Sequence, residues 1–496
     1  MKKSKLLKNV ITGFGGQFIA IILGLIVPRL FITSYGSDIN GLLGTITQIF
    51  TYMALMEAGI GQAARNALYR PISQKDQTEI NNVLSVAQNY FRRLSVYYVA
   101  GVIALAFLLP FVVKTKVSYL TIFLIVIFEG LSGAISFYFI QTQTILLSVD
   151  GKSYVNNGIV LVNKIIGYTV KIVMAKLGIN IILLQLAYFV ITIAKVLVYK
   201  YYIRKNYSWI KLKKADKSSK LQDRNAYVIT EIAWTIFSST DMIVLSTLIS
   251  TQLSSVYSIY NMIFVNLNVL LNAVYYSLTY LLGYAYHENI KNYEGLHDAF
   301  ISTFLGIMTV LMSVCYLLTI PFVTLYTKGV TDINYIYNQL PIMFCLIQLL
   351  SWSRYVPGNL TALAGYAKRT SYISLIEAIT NIILSVILAP KFGVIGVTLA
   401  TVIALPLKVI WCVYVSDKII LKRSYWKTVS IFGVNYLFFG VIVFMSKFIP
   451  LSINSYSSFF AWGVLLTLVF GIIGIGLNLL VNRSYWTVIK KSILKR

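Results

Sequence analysis

Eight side chains able to do polar chemistry lie inside long apolar stretches: Arg29, Asn163, Lys164, Lys171, Asp241, Arg354, Glu377 and Asn381. An ionised group at the centre of a bilayer costs roughly 2.5–3.5 kcal/mol on insertion scales. Such groups must therefore face an interior, hydrated or paired. Arginine can fork two hydrogen bonds onto a phosphate, and lysine acts as a point charge. Four of the eight are cations and two are carboxylates, so the ligand they suit is an anion. The spacing groups them on helix faces. At about 100° per residue, Asn156, Asn163, Lys164, Gly167 and Lys171 fall within about a third of one circumference. Ser374, Glu377, Asn381 and Ser385 do the same on a second helix. Glu231, Thr235 and Ser238 form a third stripe, and Asp241 borders it. Glu57, Glu129, Lys195 and Lys408 are also deep. Of the deep charges, Glu57, Lys195 and Glu231 stand nearest the inner helix ends, where long side chains reach water.

The elements that must position these residues are membrane spans. The chain has 496 residues, 58% hydrophobic and 12% charged, with mean hydropathy +0.76. That excludes a soluble domain, where charged residues make up about 25%. Apolar runs of about 20 residues predict fourteen spans: 10–34, 40–64, 88–113, 119–147, 154–175, 180–202, 227–250, 256–284, 299–325, 335–362, 371–390, 394–416, 428–448 and 458–481. The net charge of +27 would suggest nucleic acid in a soluble chain. Here the basic residues sit in short loops on one side: Lys2 to Lys8, Arg65 to Arg93, the loop 204–224, Lys368, Arg369, Lys418 to Lys427 and the tail from Arg483. The other side holds Lys114, Lys116, Lys176, Lys328, Lys391 and Lys447. This asymmetry places both termini in the cytoplasm and makes membrane lipid, rather than nucleic acid, the partner of the basic surface.

Two segments resemble each other: SVDGKSYVNNGIVLVNKIIGYTVKIVMAKLGIN (148–180) and AGYAKRTSYISLIEAITNIILSVILAPKFGVIG (364–396). Each has Ser-Tyr after a Gly/Lys turn, and Asn at the same offset, Asn163 and Asn381. They lie on the fifth and eleventh spans, in the same orientation. The expected fold is all-α and polytopic, with two six-helix lobes in parallel repeat plus two C-terminal helices. Parallel repeats are a transporter architecture. The expected divisions are 1–204, a basic linker at 205–225, a second lobe at 226–420, and the last two spans with the tail at 421–496.

Enzyme signals are weak. His287 and His297 are the only histidines, and both are expected in a solvated inner loop. Cys315, Cys345 and Cys412 show no pairing or metal spacing, and no cofactor is expected. LLSVDGKS looks like the end of a phosphate-binding loop, but Leu146 replaces its first glycine and no strand precedes it. GIIGIG (471–476) reads as close helix packing. The basic N-terminus MKKSKLLKN leads into an apolar run without a cleavage signal and is read as the start of the first span.

The pattern as a whole resembles a known family. GGQFIAIILGLIVPRLFITSYGSDINGLLG (15–44), MEAGIGQAARN (56–66), SSTDMIVLSTLISTQLSSVYSIYNM (238–262) and LYTKGVTDINY (325–335) are similar, in this order, to segments of the polysaccharide-export flippases of the multidrug/oligosaccharidyl-lipid/polysaccharide (MOP) superfamily. The resemblance implies a flippase for polyprenyl-diphosphate-linked oligosaccharide repeat units in a bacterial plasma membrane. It serves capsule, exopolysaccharide or O-antigen assembly, with polymerase or assembly proteins as further partners. It brings no fixed site signature, so the site candidates remain the eight residues above. A cation-coupled drug antiporter of the same superfamily would use Asp241 or Glu377 for its ion. A membrane polymerase would need a sizeable outer loop, which this sequence lacks.

Overall fold

In the computed structural model of the chain, residues 2–57, 60–212, 224–449 and 451–482 are described; their regular structure is all helical, with no strand among them. Two compact units divide between Ser255 and Val256. The first contains α1 (Lys2–Tyr35), α2 (Ser37–Ala54), α3 (Ile60–Gln74), α4 (Gln77–Val112), α5 (Tyr119–Phe139), α6 (Gln141–Val149), α7 (Ser153–Lys176), α8 (Ile181–Asn206) and α9 (Arg224–Leu248). The next helix, α10 (Thr251–Glu288), starts in the first unit and continues into the second. The second unit adds α11 (Ile290–Tyr326), α12 (Leu340–Ser353), α13 (Tyr355–Leu363), α14 (Ala367–Phe392), α15 (Val394–Val413), α16 (Trp426–Met445) and α17 (Tyr456–Val481).

Local chemistry sets the boundaries. Asp76 caps α4 by accepting hydrogen bonds from the Thr78 and Glu79 amides, both 3.0 Å, which satisfies donors left open at a helix start. Asn180 and Asn289 cap α8 and α11 in the same way. A Ser455/Ser458 capping box starts α17.

Ten described helices are long and apolar enough to cross a membrane. Their outer faces carry large apolar side chains in the open, such as Phe111 at 78%, Ile472 at 75% and Leu480 at 80% exposure. Faces of this kind need lipid around them, so the chain is a multi-pass membrane protein. Three expected spans are not single helices. The second (40–64) stops at Ala54, turns through Leu55–Glu57 and resumes at Ile60. The fourth breaks between α5 and α6, and the tenth between α12 and α13. These last two breaks are related. In each unit a nine-residue helix, α6 or α13, leads through a left-handed glycine, Gly151 (φ 69°) or Gly365 (φ 83°), into the repeat helix α7 or α14. The positive φ suits glycine at both turns.

α9 packs along α2 and lies in the first unit. In the second unit, α16 and α17 pack on α11 through buried amides. Asn435 and Asn478 pair side chain to side chain at 3.0 and 3.2 Å. Asn482 donates to Ser302 Oγ at 2.8 Å and to the Asp298 carbonyl at 2.9 Å. Gly474, from the GIIGIG run, lies against Val310: a Cβ there would come within 2.8 Å of Val310 Cγ2. That is the close packing expected of the run.

Candidate functional site

The α7 stripe turns chiefly toward α8 within the first unit. Asn156 Oδ1 accepts from Tyr199 Oη at 2.6 Å. Asn163 Nδ2 donates to the Ile191 carbonyl at 3.1 Å. Gly167 leaves room for the Tyr188 ring, since a Cβ would meet it at 2.7 Å. Lys171 Nζ sits 3.9 Å from the centre of that same ring and 5.8 Å from that of Phe31, a cation–π arrangement, and Glu129 attracts it electrostatically. Lys164 stands apart from this face and is exposed, while Arg29 on α1 is half-buried.

Asp241 is buried, at 6% exposure. It follows Thr240, whose hydroxyl pairs with Tyr52 at 2.5 Å, and it lies within electrostatic range of that tyrosine. Thr235 on the same helix is buried. The side chains of Glu231 and Ser238, the rest of that stripe, lie outside the described residues.

Beyond Asp241, α9 and the start of α10 are laced to α2 by small polar groups. Thr45 pairs with Ser246. Ser246 pairs with Ser254 at 2.7 Å, and Asn40 donates to Ser255 at 2.8 Å. Thr251 donates to Asp38 at 2.6 Å. The Lys114 backbone bonds Ser246 and Thr251, and its Nζ donates to the Leu248 carbonyl at 2.6 Å. Gly41 faces the Thr251 carbonyl where no side chain fits. Sequence reasoning missed this seam: serines and threonines at helix ends look ordinary, and only their convergence marks them.

In the second unit, Arg354 occupies the break between α12 and α13, three residues before Pro357. A proline there frees the helix from its regular bonding. Arg354 Nη1 meets Glu377 Oε1 at 2.5 Å, with both residues buried, at 6% and 2% exposure. Lys408 on α15 lies within electrostatic range of both. The trio carries two cations and one carboxylate, a net charge of +1. One helical turn along α14, Asn381 Nδ2 donates to Thr401 Oγ1 at 2.8 Å. Ser374 and Ser385, the other members of this stripe, are buried too. The eight candidates thus divide into an α7–α8 face with Asn163 and Lys171, the α1 and α9 charges Arg29 and Asp241, the exposed Lys164, and the Arg354–Glu377 site with Asn381 beside it.

A second ionic cluster was not anticipated. Asp298 is fully buried near the start of α11 and receives Arg423 Nη2 at 2.6 Å and Lys427 Nζ at 2.7 Å. Arg423 also reaches Asp417 at 2.7 Å, which sits in a π-helical turn over Tyr414–Ile420. Burial works against the Arg423 charge, but Asp298 and then Asp417 outweigh it and hold its pKa above the ordinary value. His297 belongs to this cluster. The expectation of two solvated histidines holds for His287, which is exposed. It fails for His297, which is fully buried, with Nε2 3.3 Å from Ser416 Oγ. The reason is that α11 begins at Ile290, so the polar residues before the ninth span are already helical and packed.

No family model matches the chain, and no curated protein matches it in sequence. Solved structures do. A lipid II flippase MurJ in an inward closed conformation is similar over 94% of this chain and 98% of its own, with TM-score 0.64 and 16% identity. A multidrug resistance MATE family transporter of the MOP superfamily, inward-facing, is similar over 79% of this chain and 93% of its own, with TM-score 0.62 and 14% identity. A MOP superfamily transporter from Pyrococcus furiosus, described as having a binding pocket of reverse polarity, covers 85% of this chain and 97% of its own, with TM-score 0.58 and 13% identity. The fold is that of the MOP-superfamily transporters.

Proposed function

We propose that the chain is a flippase that carries polyprenyl-diphosphate-linked oligosaccharide repeat units from the inner to the outer leaflet by alternating access. The observation that carries this reading is a MOP-transporter fold with an excess of cations at membrane depth once Glu57, Lys195 and Glu231 at the helix ends are set aside: Arg29, Lys164, Lys171, Arg354 and Lys408 against Glu129, Asp241 and Glu377. In this reading the chain makes fourteen spans in two six-helix lobes plus two helices, with both termini cytoplasmic. The pyrophosphate meets cavity cations, the sugar meets amide and tyrosine groups, and the polyprenyl tail stays in lipid. The α2–α9 seam supports the cycle as a closure that must part for release, because small hydroxyl pairs exchange readily for water. Asp241 balances a cation of α1 or α7. Lys171 already faces Glu129 and Tyr188, which favours Arg29.

The test is the sidedness of lipid-linked repeat units in cells lacking the gene. They should accumulate on the inner leaflet, and Arg29→Ala at normal expression should reproduce part of the defect. Asp241→Asn should lower transport per molecule more than it lowers the amount of folded protein. If repeat units reach the outer leaflet normally while polymerisation stops, the flippase reading fails and an enzyme takes its place.

A further inference from the structure

Glu377 meets Arg354 in a buried ion pair, and its environment speaks to how charge is balanced during transport. We propose that Arg354 is a tethered counter-cation. It occupies the Glu377 carboxylate in place of a mobile metal cation, so this carboxylate takes up no sodium during the cycle. The proposal rests on the transporter reading above and deepens it.

Three features carry it. The first is position. The α12–α13 break ends one helix at Ser353 and begins the next at Tyr355, leaving Arg354 as the joint. A side chain at such a joint is fixed by two helices rather than one. The second is occupancy. Arg354 Nη1 lies 2.5 Å from Glu377 Oε1, and both residues are almost fully buried. The third is charge balance. The groups that face the carboxylate are Arg354, Lys408 on α15 and, further along the same helix, the Cys412 thiol. With Arg354 and Lys408 set against one carboxylate, the site carries no net negative charge, so an incoming Na⁺ would meet little attraction. Anions are another matter. A phosphate oxygen would meet the Arg354 and Lys408 charges favourably. Removing a fixed partner from a buried ion pair leaves a charge that must be met in another way. In this site, the loss of Arg354 would create the cation requirement that the native residue removes.

The experiment uses the purified full-length chain and thermal unfolding in NaCl against choline chloride at equal ionic strength, between pH 6 and pH 8. The wild type is expected to unfold at the same temperature in both salts. Arg354→Met is expected to acquire an upward shift in sodium or at the lower pH. Arg354→Met combined with Glu377→Gln is expected to lose that dependence. A sodium-dependent stabilisation of the wild type that disappears in Glu377→Gln overturns the proposal. So does an Arg354→Met variant that folds and shows neither dependence. If that variant does not fold, the wild type and Glu377→Gln still decide the outcome. None of these readings needs substrate, so they stand or fall separately from the flippase assay.

Discussion

The repeat helices α7 and α14 share a frame and differ in charge. Each follows a nine-residue helix and a left-handed glycine, and each uses an asparagine at the same offset to hold the next helix: Asn163 to Ile191 on α8, Asn381 to Thr401 on α15. Around that common tie the two faces diverge. On α7 a cation, Lys171, rests on the Tyr188 ring with Glu129 in range. On α14 a carboxylate, Glu377, is met by an arginine from a helix break. The difference teaches that the amide belongs to the scaffold and the charges to what each unit does with it. A cation on an aromatic face loses little when it leaves to meet a ligand. A buried ion pair resists being opened.

The largest test of this contrast is to remove one cation from each face. Arg354→Met leaves Glu377 buried, and breaking such a pair costs about 3–5 kcal/mol. Lys171→Met removes a cation–π contact of roughly 0.5–2 kcal/mol and leaves Glu129, which is only half-buried. Thermal unfolding of the two purified variants should therefore rank Arg354→Met well below Lys171→Met. Equal losses would dissolve the distinction between a pinned and a releasable charge.

A second test uses a feature of the second unit that lies outside the repeat. Asp298→Asn removes the acid shared by Arg423 and Lys427. It should cost about 3 kcal/mol, the low end for partner loss in a buried ionic cluster, because Lys427 is half exposed. The damage should be confined to the N-terminal turns of α11 and α16, read as faster amide exchange there while α14 and α15 keep their protection. Because Asp298 is fully buried, added salt should change the loss little. Uniform loss of protection would mean that the unit unfolds as one body.

The sequence carried some of this plainly and some not at all. Spans were legible because a bilayer forces long apolar runs, but the tenth, expected as one run over 335–362, breaks at Arg354. The pairing of Arg354 with Glu377 could not be read, although both residues could, because their separation of 23 positions fits no single helix face. Asp298 and Arg423 are 125 positions apart, and neither lies within an apolar run, so nothing local flagged them. His297 misled because HENIKNYEGLHD is as polar as a loop, yet its asparagine Asn289 caps a helix. The α2–α9 seam consists of residues that are common at helix ends. Its meaning lies in which ends meet.

A smaller effect is expected where the basic linker begins. Tyr207 Oη donates to Asp150 at 2.5 Å and accepts from Lys152 at 2.9 Å. Burial first, then Asp150, raises the Tyr207 pKa above its ordinary value. A raised pKa means that this contribution is complete below the unfolded-state value of about 10 and fades as pH climbs past it. Tyr207→Phe should cost about 1 kcal/mol at neutral pH and abolish that alkaline loss. The amide of Lys211, which donates to Asn81 Oδ1 at 2.9 Å, should exchange faster in the variant. Unchanged exchange at Lys211 would show that Asn81 alone holds the segment after α8.

The smallest expected effect bears most directly on the repeat. Asn163→Ala and Asn381→Ala each delete one interhelical hydrogen bond. Such bonds inside membranes average about 0.6 kcal/mol in double-mutant cycles. Neither acceptor is orphaned in a costly way: Ile191 offers a carbonyl inside a helix, and Thr401 keeps its own bond to the Val397 carbonyl at 3.2 Å. Both variants should therefore fold, with losses of about 0.5–1 kcal/mol. If the amides are scaffold, the two losses should match within that range, and transport per folded molecule should stay at the wild-type level in both. If one of them touches the sugar instead, its variant should transport more slowly at equal stability, as a rise in the substrate concentration needed for half-maximal rate. That asymmetry between Asn163 and Asn381 would break the comparison at its common point, because it would assign to substrate a residue that its partner uses only to hold a helix.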